Sequence, residues 1–452
     1  GTWTATNHVW TDATGSITGP MIPNPGFAIF AGDAGTVTVS DADGAVEAQG
    51  IQFASDGYVL SGDALNLTGT EGEIRVGDGS EASSGYVATI QNSISATNGL
   101  VKTGEGTLSL AGGSSQAQDW WVREGTLQSG VSPLAGNILN DAHVLIDGYS
   151  PSGAYQGTIS GSGSVTWDLG GPTNLINKQT YTGLTHVLNG ELYGAADTFA
   201  GDILIEAGGQ IVATGGVAPV QYDGTISGDG IYDISGANVV WTGDHTGFTG
   251  LTLLNNGAHL TLGTGGNTGS IVGDVLFSDT SSTLEINRAN DYLYDGVISG
   301  AGNLIKNGAG NYILSADHSM TGNATVNAGG MLVNVAPLSI RVKHGQNVGE
   351  LVQQVQLELM GALRHQRFSI EDIRRDLTSR GQSSALVGPL VNVMLFHQEI
   401  HLGPIVGEFN IVTSGPVEDL LVNVYQSGSP SRTFVDFRAN PNRYEDEDLA
   451  EH

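Results

Sequence analysis

The chain has 452 residues, 68 of them Gly and none Cys, and 16 Lys+Arg stand against 46 Asp+Glu for a net charge of −30. This balance excludes a disulfide scaffold and thiolate metal sites, and it argues against nucleic acid and anionic membranes as partners, both being polyanions. No run of about 18 apolar residues is present to cross a bilayer as a helix. The opening at Gly1, without Met or a charged-then-apolar leader, leads us to expect a fragment, with any export signal outside it.

Composition breaks near residue 330. Residues 1–330 carry 59 of the Gly, all six Trp, and six basic against 31 acidic residues. The remaining 122 residues carry nine Gly, ten basic and 15 acidic residues. The two parts are separate folding problems.

The first part is repetitive. Ile94-Ser95-Ala96 through Gly99-Leu100-Val101-Lys102-Thr103-Gly104-Glu105-Gly106-Thr107-Leu108-Ser109-Leu110 returns as Ile298-Ser299-Gly300 through Asn303-Leu304-Ile305-Lys306-Asn307-Gly308-Ala309-Gly310. Shorter copies begin at Ile159 and Ile226, so the four Ile are separated by 65, 67 and 72 residues. Tyr181-Thr182-Gly183, Phe248-Thr249-Gly250 and Met320-Thr321-Gly322 are separated by 67 and 72. Gly125, Gly190, Gly257 and Gly329, each before an apolar run, repeat the offsets 65, 67 and 72. Agreement among three independent markers makes the repeat real.

Within each unit the texture is short strands bounded by Gly, Asn, Asp and Ser. Thr107–Leu110 and Leu260–Leu262 alternate, Ile203–Ile205 is continuously apolar, and no stretch carries a helical apolar stripe. Such strands cannot close a core singly, but stacked as coils they bury one continuous row. Each unit reads as about three coils of roughly 20–24 residues. Fifteen or so coils would make a rod roughly 70 Å long.

The string Gly99–Leu110, with the Tyr-Thr-Gly segment and the following Gly-x-Leu strand, resembles the passenger-associated strand repeat of bacterial autotransporters. The resemblance covers about residues 1–330. It implies a right-handed parallel β-helix, secreted or displayed at the outer cell surface, used in adhesion, aggregation or display. Host or cell-surface ligands would be its partners. The family's signal peptide and outer-membrane barrel have no counterpart in this sequence.

β-Helices also include polysaccharide-acting enzymes, and glycoside hydrolysis needs two carboxylates held across a sugar. Among the many carboxylates, such as Asp223, Asp229, Asp233, Asp291 and Asp295, most fall at expected turns, where an Asp ordinarily serves its own backbone. Gly228-Asp229-Gly230-Ile231-Tyr232-Asp233 resembles a single calcium nonapeptide, a motif that needs tandem copies. Gly161-Ser162-Gly163 lacks the following helix of a phosphate loop. Trp120-Trp121 reads as packing or a coil-end cap before it reads as a sugar platform.

After residue 330 the period changes. Asn347–Glu350 reads as a capped helix start, and Val348, Leu351, Val355, Leu359 and Ala362 form an apolar stripe ending near His365. A short helix is expected from Ser369 through Leu377 and another from Tyr444. Strands are expected at Val391–Phe396, Glu408–Val412, Leu420–Tyr425 and Thr433–Phe437, giving a small α+β segment. His397 and His401 have the spacing of a helical zinc pair, but they follow a strand and residue 398 is Gln.

The strings Gly330–Leu338, Arg364–Ile373, Gly388–Val393, Gly415–Leu420 and Ala439–Tyr444 resemble, in order, the C-terminal part of a nonribosomal peptide synthetase condensation domain of siderophore type. That family joins carrier-bound acyl groups at a His-His-x-x-x-Asp-Gly motif, and no His-His pair occurs in this chain. The resemblance therefore implies a catalytically incomplete segment, with carrier proteins as partners only inside a larger synthetase.

The expected architecture is mainly β: a parallel β-helix over 1–329 followed by a truncated α+β segment over 330–452. The expected function is a non-enzymatic stalk fused to an inactive condensation-type tail. A synthetase fragment is the alternative, and a polysaccharide-acting β-helix the weaker third. No catalytic, cofactor-binding or metal-binding residue is assigned, and no nucleic-acid partner. The resemblances belong to different compartments, cell surface and cytoplasm, so a chimera of two partial genes is expected.

Overall fold

The computed structural model describes residues 1–12, 15–111, 118–130, 134, 136–148, 153–215, 218–316 and 318–333. Beyond these it describes 353–355, 390–394, 400–402, 405–407, 420–426, 433–440 and 442. Backbone contacts divide the chain into two units, Gly1–Val333 and Asn334–His452.

The first unit is a parallel β-solenoid of about 14 turns, close to the fifteen or so expected. Leu100, Trp120, Ile138 and Ile159 pair in register on successive strands, so these coils take 20, 18 and 21 residues. Further on, Ile203 pairs with Ile226 and Val275 with Ile298, each a step of 23. The longest sheet has 18 strands and runs from Thr2–Trp3 to Ser319–Met320. Seven- and six-stranded parallel sheets line its flanks, the latter from Val220–Tyr222 to Ala324–Val326. Among the described residues of this unit the helical content is one short 3-10 turn, Glu81–Gly85.

Alternation decides which side chains go inside. Thr107–Leu110, Thr126–Ser129 and Ser164–Leu169 each turn every second residue inward. Leu108, Leu127, Val144 and Val165 thereby stack into a fully buried row. Each such side chain contributes about 1.5–3 kcal/mol by leaving water. At the start of the chain Trp3, Trp10 and Phe30 close the first coil, their ring centroids 5.2–5.8 Å apart.

The repeat markers have structural meanings. Ile94, Ile159, Ile226 and Ile298 are all buried core residues. Gly125, Gly190, Gly257 and Gly329 hold φ between +65° and +79°; Gly125, Gly257 and Gly329 turn the chain just before a strand, whereas Gly190 lies within Thr185–Ala195. Tyr181 and Phe248 are buried and Met320 is half-buried at the Φ-x-Gly corners.

In the second unit Leu390–Met394 pairs parallel with Leu420–Gln426, which pairs antiparallel with Thr433–Ala439. These match three of the four expected strands. Ile400–Leu402 and Ile405–Gly407 form an antiparallel pair that the sequence reading missed. Within the expected first helix, residues 353–355 are helical. The expected strand at 408–412, the second helix and the third helix lie outside the described residues. Gly330–Val333 pairs in parallel with Asn311–Leu314 as a solenoid strand, and the division inferred between 329 and 330 falls at its start.

At the corners, coils approach too closely for side chains. Gly201 has φ +63°, and a Cβ there would collide with the Gly183 carbonyl of the preceding coil. Gly201→Ala is expected to cost about 2–4 kcal/mol, through both strain and collision. Urea denaturation followed by tryptophan fluorescence measures it; an unchanged midpoint would refute the glycine contact.

Candidate functional site

The polar side chains that recur in register join coils to one another. Tyr155, Tyr222 and Tyr294 donate their hydroxyls to the carbonyls of Gly136, Gly201 and Gly273 at 3.1, 2.7 and 2.7 Å. Asn137, Asp202 and Asp274 accept the backbone N–H of Thr158, Thr225 and Val297 at 3.0, 2.8 and 2.8 Å. Gln179, His245 and His318 reach back to accept the N–H of Ile159, Ile226 and Ile298 at 2.7, 3.0 and 3.0 Å. Gln179 and His245 thereby satisfy backbone donors inside the core, whereas Asn137, Asp202 and Asp274 satisfy theirs at the exposed surface. Sequence reasoning missed all three sets, although the three tyrosines and Gln179, His245 and His318 each lie within a few residues of a repeat marker.

Three buried cations belong to the same system. Lys102 is wholly buried, and its ammonium donates to the carbonyls of Thr103, Gly104 and Glu124 at 3.0, 2.6 and 2.9 Å. The last lies on the next coil. Burial pulls the Lys102 pKa down to about 7, against the upward pull of Glu124 and Glu105. Lys306, in the same place in its own repeat, bonds to the carbonyls of Gly308 and Ala328. Arg288 is likewise buried and holds the carbonyls of Asn267 and Gly269.

The candidate carboxylates do not converge. Asp291 accepts the N–H and side-chain amide of Asn311 on the next coil, at 2.8 and 3.0 Å, rather than serving its own turn. Asp233 is buried on the outer sheet face, accepts from Asn255 at 2.6 Å, and is pushed up to about 6 by burial. Asp223, Asp229 and Asp295 stand apart at exposed corners. By contrast, Asp279 does serve its own turn, through Ser281 and Ser282, and these bonds lower its pKa. Among the described residues no three His, Asp or Glu stand close enough to share a metal ion. No helix there is long and apolar enough to cross a membrane.

The Trp pair splits between two roles. Trp120 is a core residue, while Trp121 faces outward with the Arg123 guanidinium 3.7 Å above its ring. Arg123 is held in turn by both Glu71 carboxylate oxygens at 2.6 and 2.7 Å, so that ring face is already covered. His401 sits in the strand Ile400–Leu402, which rules out a helical zinc pair, and His397 lies outside the described residues.

A groove of about 580 Å³ opens where three successive corners meet: Lys178–Thr182, Ala196–Asp202 and Val220–Gly224. Phe199 and Tyr222 form its buried floor, and Lys178, Asp197 and Asp223 stand at its rim. The Lys178 ammonium lies 3.9 Å from Asp197, with both side chains more than half exposed.

Comparisons with known proteins match the two parts of the chain to different families. The passenger-associated-transport-repeat family matches residues 100–128 and 304–333, and the condensation domain family matches residues 320–447. Residues 320–333 are thus matched by both. The adhesin BmaC autotransporter of Brucella suis biovar 1 (strain 1330) is 34% identical over 309 residues, 65% of this chain and 8% of the relative. The dimodular nonribosomal peptide synthase of Bacillus subtilis (strain 168) is 34% identical over 131 residues, 29% of this chain and 6% of the relative. Enterobactin synthase component F of Escherichia coli (strain K12) is 28% identical over 131 residues, 29% of this chain and 10% of the relative. The chain therefore spans a tenth or less of the length of these relatives. No solved structure gives a significant match.

His245 makes the stability of the solenoid depend on pH. Its Nδ1 accepts a backbone N–H inside the core, and burial pulls its pKa down to about 4 from 6.5, against the pull of Asp244. Between these values the unfolded chain binds a proton that the folded chain refuses. The contribution is complete above pH 6.5 and is lost as pH falls toward 4, on the order of 3 kcal/mol in all. Asp233, raised to about 6, slopes the opposite way in the same window. Denaturation from pH 4 to 7 in wild type and His245→Gln isolates the histidine. The variant is expected to lose less stability on acidification, and parallel curves would refute the assignment.

Proposed function

We propose that residues 1–329 form a secreted or surface-displayed β-helical stalk acting in adhesion or display, and that residues 330–452 are a catalytically incomplete condensation-type segment. The observation that carries the first part is the solenoid, in which recurring polar groups are spent on joining coils rather than on a convergent catalytic cluster. The 34% identity to an autotransporter adhesin over 309 residues supports it. The acidic exterior suits a long rod that stays dispersed, since like charge resists side-by-side association.

The second part rests on the missing His-His pair. General-base or orienting help to an attacking amine needs a group at hydrogen-bond distance, and no residue here matches the one that provides it. The second reading, a synthetase fragment working with carrier proteins and a catalytic half supplied elsewhere, is favoured by the condensation-domain match at residues 320–447. Surface and cytoplasm are the respective compartments of the two parts. We read the overlap at 320–333 as the join of two partial genes; long sequencing reads through these codons would either cross it unbroken or split the chain.

Displayed on a non-adherent bacterium through a heterologous anchor, the chain is expected to raise attachment to cultured cells at least several-fold. Attachment equal to that of the anchor alone would sink the adhesive role. Mixed with donor- and acceptor-loaded carrier proteins, the chain is expected to form no condensation product by mass spectrometry. Product formation would favour the synthetase reading.

A further inference from the structure

The groove at the three corners has a cause in coil length. From Val165 to Thr185 the coil takes 20 residues, from Thr185 to Ile203 only 18, and from Ile203 to Ile226 it takes 23. The short middle coil leaves its corner, Ala196–Asp202, between the longer corners of its neighbours. A volume of about 580 Å³ lies in the range of small-ligand sites.

The chemistry of the walls selects what fits. Asp202 already spends one carboxylate oxygen on the Thr225 N–H at 2.8 Å. Asp223 carries no hydrogen bond or ion pair among the described residues, and Asp197 has only the loose contact with Lys178 at 3.9 Å. Gln221 and Lys178 supply donors beside these acceptors, and Phe199 supplies an apolar floor. Closely spaced acceptors and donors over an apolar floor suit a ring that carries hydroxyls on its edge and C–H groups on its face. Three carboxylates against one ammonium leave the groove negative, so it favours a cationic group and repels a uronate. A peptide is less well served, because the strands of these coils are paired on both sides and offer no free edge for a further strand.

We propose that this groove binds a short oligosaccharide bearing free amines, lying along the three corners. The proposal rests on the reading of the first unit as a ligand-presenting stalk and names the chemistry of its ligand. Spacing of about 4.8 Å per coil gives a track of roughly 10–14 Å, enough for a short oligomer. Exposed carboxylates remain hydrated, so the affinity is modest and falls with salt.

Calorimetric titration of the full chain with a glucosamine trimer, its N-acetylated counterpart, a galacturonate trimer and trilysine tests this. The glucosamine trimer is expected to bind saturably, the acetylated trimer at least fivefold more weakly, and the galacturonate trimer not at all. Asp223→Asn is expected to weaken the amine trimer at least fivefold without changing the melting temperature. Lys178→Gln is expected to tighten it, which a purely structural lysine would not do. No saturable binding, indifference to Asp223→Asn, or equal binding of trilysine would overturn the proposal. These readings are made in solution and leave the attachment assay untouched, so failure of the ligand and failure of the stalk are distinguishable.

Discussion

Everything in the first unit follows from stacking parallel coils at strand spacing, about 4.8 Å apart, along their whole circumference. On the flat faces this spacing is supplied by the backbone ladder and filled by rows such as Leu108, Leu127, Val144 and Val165. At the corners the chain must turn without moving away from its neighbour. There the spacing leaves no room for a Cβ, as at Gly201 above Gly183 and Gly273 above Gly250. The high glycine content is the consequence of that repeated closeness.

The same constraint creates the need for polar groups inside. A corner interrupts the ladder and strands donors and carbonyls away from water, each costly if left unpaired. The solenoid answers in two ways. Tyrosine hydroxyls and the inward Gln179, His245 and His318 reach one coil away, as Asn137, Asp202 and Asp274 do at the exposed surface. Lys102 and Lys306 turn inward from strand positions and collect carbonyls from two coils. In the intervening repeats the equivalent inward positions hold Trp167 and Ile234, both fully buried. The position is therefore a core position first and a cation site second.

Lysine is scarce in residues 1–330, and most of it points inward. Of the three present, Lys102 and Lys306 are buried, leaving Lys178 at the rim of the groove. Arg288 is buried and Arg123 is committed to Glu71 and Trp121. The exterior is thus even more acidic than composition suggests. A negative field over a long rod opposes aggregation and draws cationic groups to any concavity it contains.

The repeat, its three-coil length and its inward rows were legible in the sequence alone, because strand alternation and close-packed corners constrain residue type locally and the same constraint recurs at offsets of 65, 67 and 72. A change near residue 330 in glycine content and in the period of the apolar residues was visible in the sequence too. The roles of the polar residues were not. Asp291 at a turn looks alike whether it serves its own backbone or that of Asn311, and an inward His or Lys looks like a surface residue until its strand register is known. Trp121 could not be seen to carry Arg123, nor could the groove be found, since it depends on the lengths of three neighbouring coils compared in space. Local sterics are written along the chain; partners roughly twenty residues away are set only when one coil closes over the next.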